Sequence, residues 1–257
     1  MDKKFPHTTL KSKKSLSLST KESENWVFLH RRYASQMTTL ADIDHQPAST
    51  LACSHMICAS CSVVDCNLDR MVRSHVCTAC GEPGEGGRLY FPISIHILVD
   101  LIQQAYHSQA PTVTPRGPNG HDVGTVLYFC TLREALLNHF LKENLKAQKV
   151  PAPLIEKLLN DNRLAGQKFG ELFSSVTGKK WANAVADASA STGQPFEPVS
   201  LLMRQAAQLR NSFLHEGDAL PMTRLMSTQC INAVPNMVDL FVALHNEFIR
   251  ALPRSDA

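Results

Sequence analysis

The sequence predicts a mainly α-helical protein, an up-and-down helical bundle in the C-terminal half preceded by a small metal-binding module. Three observations predict it. Apolar residues recur at helical spacing along nearly everything after residue 122. Six of the eight cysteines crowd between residues 53 and 80. The stretch "SQAPTVTPRGPNGHD" (108–122), with three prolines and two glycines, reads as a linker between the two parts. A chain of 257 residues is long enough for two modest domains and a buried core. Neither an internal repeat nor strand alternation is visible.

The first 37 residues are basic and serine-rich, which describes a solvated, flexible tail. Residues 1–40 carry eight Lys/Arg against three acids, while the whole chain is only +3. That balance makes no whole-molecule case for nucleic acid. Apolar and charged fractions of 44% and 19% are those of a soluble globular protein. No run of about 18 apolar residues suggests a membrane span, and the start lacks the hydrophobic segment of a secretory signal. The expectation is a cytoplasmic protein that does not engage membranes.

The metal-binding module covers residues 38–107. Its ligand pattern is Cys53-x-His55-x2-Cys58-x2-Cys61, fifteen residues, then Cys77-x2-Cys80. Zinc favours thiolate and imidazole in a tetrahedron, and each Cys-x2-Cys turn offers two sulfurs to one ion. Clustered cysteines in a cytosolic chain point to metal rather than to disulfides. The expected cofactor is therefore a structural Zn2+ whose binding free energy is folding free energy.

These residues resemble the RING finger family, from Pro47 through "LACSHMICASC" to "CTAC" and the proline-led helix behind it. The resemblance implies interleaved zinc sites, with Cys53, His55, Cys77 and Cys80 in one complete site and Cys58 and Cys61 in the other. The opening Cys pair of the second site is missing. "TTLA" stands at 38–41, and Asp42, Asp44 and His45 are the nearest substitutes. The alternative is a simpler ribbon that holds one ion with Cys58, Cys61, Cys77 and Cys80, leaving Cys66 and His75 as spares. A RING would imply a ubiquitin-ligase surface. Here no proline separates the last cysteine pair and Gly81 follows it, so a partner-docking role is expected of the module.

Beyond the cysteines, "FPISIHILVDLIQQAYH" is apolar at Ile95, Leu98, Leu101, Ile102 and Ala105, which is helical spacing. The bundle covers residues 123–252. A long first helix from Val123 closes before Pro151 and Pro153, and shorter ones lie near Leu154–Asn160, Gly166–Ser175 and Lys180–Ser189. "PVSLLMRQAAQLRNSFLHEG" is a helix capped at Gly217 with Leu202, Ala206, Leu209 and Phe213 as its apolar stripe. The last helix runs from Met222 to Ile249 with a bend expected at Pro235. Trp181 reads as a core anchor, beside Lys179 and Lys180 as candidate phosphate contacts.

"RNSFLH" places Arg210, Asn211 and His215 near the end of a bundle helix. The Arg-x4-His spacing also occurs at Arg70 and His75, so the spacing alone is common. With the adjacent asparagine, the helix end and the all-helical setting, residues 123–252 resemble the HEPN family of helical nucleases and nucleic-acid-binding domains. The resemblance implies a metal-independent endoribonuclease, of toxin or defence-effector type, acting on RNA as a homodimer with the motif at the shared interface. RNA supplies its own 2′-hydroxyl nucleophile. His215 would be the general acid/base, Arg210 the phosphate clamp, and Asn211 an orienting group. Glu134 or Asn138, one turn apart in "LREALLNHF", would orient the arginine or histidine. Many HEPN toxins carry a modified tyrosine two residues past the histidine, where this chain has Gly217. On a straight helix, residues five apart point about 140° away from each other, so one chain brings Arg210 and His215 together only if the helix loosens. The competing readings are an adaptor or ubiquitin-ligase-like interaction protein whose bundle dimerises, and a nucleic-acid binder without turnover.

Overall fold

The computed structural model describes residues 55–66, 77, 79–81, 88–108, 118–162 and 164–252. Three short strands come first, β1 (His55–Ile57), β2 (Val64–Cys66) and β3 (Arg88–Leu89). They form an antiparallel sheet of order β2-β1-β3, with His55 opposite Cys66 and Met56 opposite Leu89. Strands of two or three residues are too short to carry a visible alternation, which is why the sequence shows none. The helices are α1 (Ile93–His107), α2 (Gly120–Ala147), α3 (Ala152–Asp161), α4 (Ala165–Gln167), α5 (Phe173–Thr177), α6 (Trp181–Thr192), α7 (Glu197–Glu216) and α8 (Arg224–Ala251). Between α4 and α5, Lys168–Leu172 is a π-helical turn, so the single helix expected over 166–175 contains a wider turn in its middle.

The core is organised around α2. Its apolar residues are not confined to one stripe: Val126, Phe129, Leu132, Leu136, Leu137, Phe140 and Leu141 are all at most 1% exposed. A helix buried on several sides must be surrounded, and α1, α7 and α8 pack along it. Asn119 starts α2 by accepting the Asp122 N–H at 2.8 Å, and Asp122 sits in the first turn, where a carboxylate suits the positive end of the helix dipole. Asp122 also accepts from the Ser227 hydroxyl of α8 at 2.6 Å, which ties the two long helices together at this end. Fully burying each of Phe129, Phe140, Phe173 and Phe241 contributes on the order of 2 kcal/mol.

Helix α1, expected as the tail of the metal module, packs along α2 through Ile95, Val99 and Ile102, all fully buried. Tyr106 near its end bonds the Thr228 hydroxyl at 3.0 Å and stacks under Arg224 at 3.7 Å. The apolar periodicity that predicted this helix thus faces the bundle. Helix α8 continues through Pro235.

The small sheet rests on the same core, which includes Ile57, Val64, Tyr90 and Phe91. Asn246 on α8 clamps β2: its Nδ2 donates to the Val64 carbonyl and its Oδ1 accepts the Val64 N–H, both at 2.7 Å. One side-chain amide therefore completes the edge of the strand as a neighbouring strand would. His245 Nε2 lies 3.0 Å from the Ser62 carbonyl beside it.

Candidate functional site

Two constellations carry chemistry, a cysteine cluster in the sheet module and a basic cluster on the bundle. The first begins where β1 ends. Cys58 and Cys61 lie on the turn between β1 and β2, closed by the Cys58 N–H to the Val63 carbonyl at 2.9 Å, with Ser62 at φ 58°. Across from it the Gly81 N–H donates to the Cys77 carbonyl at 2.8 Å, and Gly81 takes φ +76°. A left-handed residue at the end of a knuckle favours glycine, which gives Gly81 a structural reason.

The four sulfurs of Cys58, Cys61, Cys77 and Cys80 lie within 4.8 Å of one another. Cys58 and Cys80 are 3.8 Å apart, and Cys61 and Cys77 are 3.6 Å apart. Four sulfurs at about 2.3 Å from one ion in a tetrahedron would stand about 3.8 Å apart. The cluster is thus compatible with a metal site. Burial raises the Cys58 thiol, yet the Cys61 and Ser60 backbone donors together with the Cys61 and Cys77 thiols outweigh it and bring it down to about 7, while burial pushes Cys61 up to about 12.

Among the described residues both Cys-x2-Cys pairs lie in one group, the grouping that a ribbon would use. His55 is not in that group. It is 1% exposed, with Nε2 3.9 Å from Asp239 Oδ1 of α8 and its ring edge-on to Phe91 at 5.4 Å. The physical reason is strand geometry: β1 buries His55 and Ile57 on one face, so His55 turns toward the bundle and away from the knuckles. Cys53, His75 and the segment around Asp42, Asp44 and His45 lie outside the described residues, as does the tail of residues 1–37.

The second constellation sits where α2, α7 and the π-helical turn meet. Arg210 Nη2 on α7 donates to Glu134 Oε1 on α2 at 2.7 Å, both half-buried. Arg133, the residue before Glu134, is only 8% exposed and lies 4.2 Å from the centroid of the Phe169 ring. Its Nη1 and the Nε of Arg210 are buried without a hydrogen-bond partner among the described residues. Lys168 donates to Asn138 Oδ1 at 2.7 Å. Burial pulls both Arg133 and Lys168 below their ordinary values, and Glu134 pulls each the other way.

Of the motif residues, Arg210 and Glu134 meet, whereas Asn211 and His215 are exposed on the outer side of α7. Helix α7 is α-helical through Glu216, and Gly217 closes it at φ +71° with its N–H on the Phe213 carbonyl at 3.0 Å. It does not loosen before its end, so Arg210 and His215 stay about 140° apart around the axis of one chain. Trp181 is packed edge-on to Phe169 and Phe173 and donates to the Ser200 hydroxyl at 2.9 Å, a core role. Lys179 is held by Asp187 at 2.7 Å and Glu247 at 2.8 Å, which commits it to carboxylates.

Sequence reading missed Arg133 and Lys168. The signal for Arg133 was its position among Leu132, Leu136, Leu137 and Phe140, where helical spacing demands burial. Comparison of the chain with protein-family models, with curated proteins and with solved structures returns no match. No helix among the described residues is long and apolar enough to cross a membrane.

Proposed function

We propose that this chain is an RNA-acting protein with a HEPN-like helical bundle, and that it cleaves RNA only when two copies share a site. The observation that carries this reading is the Arg210–Glu134 pair. It fixes an arginine fork between α2 and α7 while Asn211 and His215 face outward from the same helix. Because α7 is regular to its end, His215 serves a phosphate held by Arg210 of the other copy. Arg210 neutralises the phosphate, His215 moves the proton of the 2′-hydroxyl or of the leaving 5′-oxygen, and the products are a 2′,3′-cyclic phosphate and a 5′-hydroxyl. The reaction needs no metal.

Zn2+ is the ion that best suits the Cys58–Cys61–Cys77–Cys80 group, in a structural role with no open ligand position. The module then serves to dock RNA or a protein partner. A second reading, a binder without turnover, is favoured by the exposure of His215, which leaves that side chain on the outer surface.

Complementation tests the proposal. RNA cleavage is measured for wild type, His215→Ala, Arg210→Gln, and an equimolar mixture of the two variants refolded or co-expressed together. Each variant alone should be inactive. Random pairing in a two-fold dimer should restore about a quarter of wild-type activity in the mixture. An inactive mixture beside an active wild type places the chemistry elsewhere, and an inactive wild type across several RNAs leaves the binder reading.

A further inference from the structure

The basic cluster holds more positive charge than its surroundings balance. Arg210 donates to Glu134, the one carboxylate among the groups whose charge acts on both Arg133 and Lys168; the other ionisable neighbour of Arg133, the Cys130 thiol, is pushed up to about 12 by burial and stays uncharged. Charges taken out of water need partners, and a buried guanidinium N–H without one is expensive. Yet Arg133 is more than nine-tenths buried with Nη1 unpartnered, and Arg210 keeps a buried, unpartnered Nε beside its bond to Glu134. The π-helical turn that carries Lys168 and Phe169 adds to this. Such turns are uncommon and occur often at functional sites, and here the turn sets Phe169 under the Arg133 guanidinium and Lys168 onto Asn138.

We infer that Arg133, Lys168 and Arg210 form a binding site for a phosphate group, in which Glu134 acts as the internal counter-anion that the ligand replaces. A tetrahedral oxyanion suits this arrangement better than a carboxylate does. Two guanidinium forks and an ammonium approach from α2, α7 and the π-helical turn, so three donors on different elements meet an anion with several acceptor oxygens. Phe169, with its ring centroid 4.2 Å from the Arg133 guanidinium, limits the freedom of that side chain, which preorganises the fork. Glu134 keeps the site from carrying three uncompensated cations while no ligand is present. Two sources share this chemistry, a free phosphate or monoester and the diester backbone of RNA. The site does not depend on His215 or on cleavage, because it rests on the orphaned guanidinium nitrogens and the charge imbalance.

The test titrates full-length protein, purified with its metal, with inorganic phosphate at constant ionic strength, with chloride as control, reading thermal unfolding and calorimetry. Wild type should show saturable binding that chloride does not reproduce. Lys168→Gln, at a half-buried position that tolerates the change, should weaken it by about tenfold, and Arg133→Gln by at least as much. Glu134→Gln should strengthen it several-fold because the competing anion is gone, a gain that a purely structural Glu134 would not give. Absence of saturable binding, or affinities unchanged in both Lys168→Gln and Glu134→Gln, overturns the inference. In a second arm a short single-stranded RNA competes against phosphate. Competition that weakens in Lys168→Gln names the diester as the ligand, and phosphate binding without competition names a free phosphate or monoester. Phosphate binding without RNA cleavage would sink the proposed nuclease and leave this site standing, whereas His215-dependent cleavage without any phosphate response would do the reverse.

Discussion

Asn246 holds a strand edge with one side chain, accepting the Val64 N–H and donating to the Val64 carbonyl at 2.7 Å each. Leucine at this position would keep the γ-branched shape and abandon both partners, leaving a backbone donor and acceptor unpaired against α8. Asn246→Leu should therefore cost about 2–3 kcal/mol in chemical denaturation, and a loss under 0.5 kcal/mol would mean that water takes over both bonds. A contrasting residue is Lys179, whose two ion pairs sit at the surface with its own side chain 47% exposed. The Asp187 and Glu247 hydrogen bonds raise its pKa above the ordinary 10.5. For a raised lysine the stabilisation is fully present below the unfolded value and disappears as pH climbs through the folded one. Lys179→Met should thus cost no more than about 1 kcal/mol, equally at pH 6 and pH 9, and the difference should fade as pH climbs past the ordinary lysine value through the raised folded one. Measurement of stability against pH for both proteins checks the sign. His55 is the residue whose place the sequence concealed. Its spacing to Cys53 and Cys58 fits a ligand pattern, but which face of a three-residue strand is buried is decided by α8, not by any periodicity in the strand.

Among the elements, those with chemical punctuation were legible and those without it were not. Helix α7 carries a proline in its first turn and ends at a left-handed glycine, and both ends could be read from residue types to within a residue or so. Helix α2 announced itself through apolar residues recurring over many turns. The wide turn at Lys168–Leu172 had no such mark, because one additional residue in a turn shifts side chains without changing composition. Arg133 was hidden for a related reason: arginine is ordinarily exposed, and only its neighbours three and four residues on show that its face is inside. The end of α7 also decides how the Arg210–Asn211–His215 motif works, and it can be probed. A Cβ built on Gly217 would meet nothing within 4 Å, so substitution there has no steric cost from neighbours, only that of φ +71°. Gly217→Ala should lower stability by about 1 kcal/mol through the left-handed conformation alone. If the last turn of α7 loosens enough to bring His215 round to Arg210 in one chain, Gly217 loses that conformation and the alanine variant becomes neutral. Thermal unfolding of the two proteins separates these outcomes.

For the whole molecule, the question is how far the cysteine cluster and the bundle depend on each other. The knuckles around Cys58, Cys61, Cys77 and Cys80 have little apolar interior of their own, since Cys80 is exposed and Cys58 and Cys61 are only half-buried. A bound ion would supply most of what orders them, by mass action on the folded form. The bundle has a different source of stability, the packing of α1, α7 and α8 around the buried faces of α2. Val64, Tyr90 and Phe91 link the two, because they belong to the sheet region and yet lie in the bundle core. Removal of metal by a chelator should therefore disorder the turns at 58–61 and 77–81 while Tyr90 and Phe91 stay anchored ahead of α1. The far-ultraviolet helical signal should change little. Thiol labelling mapped residue by residue should show Cys58, Cys61, Cys77 and Cys80 becoming reactive. Cys130 and Cys230 should stay protected, because they are at most 1% exposed and burial pushes the Cys130 thiol up to about 12. Labelling of Cys130 and Cys230 at the same rate as the four would show that the bundle unfolds with the module. The two parts would then be one cooperative unit held by the metal, and Asn246→Leu should imitate chelation.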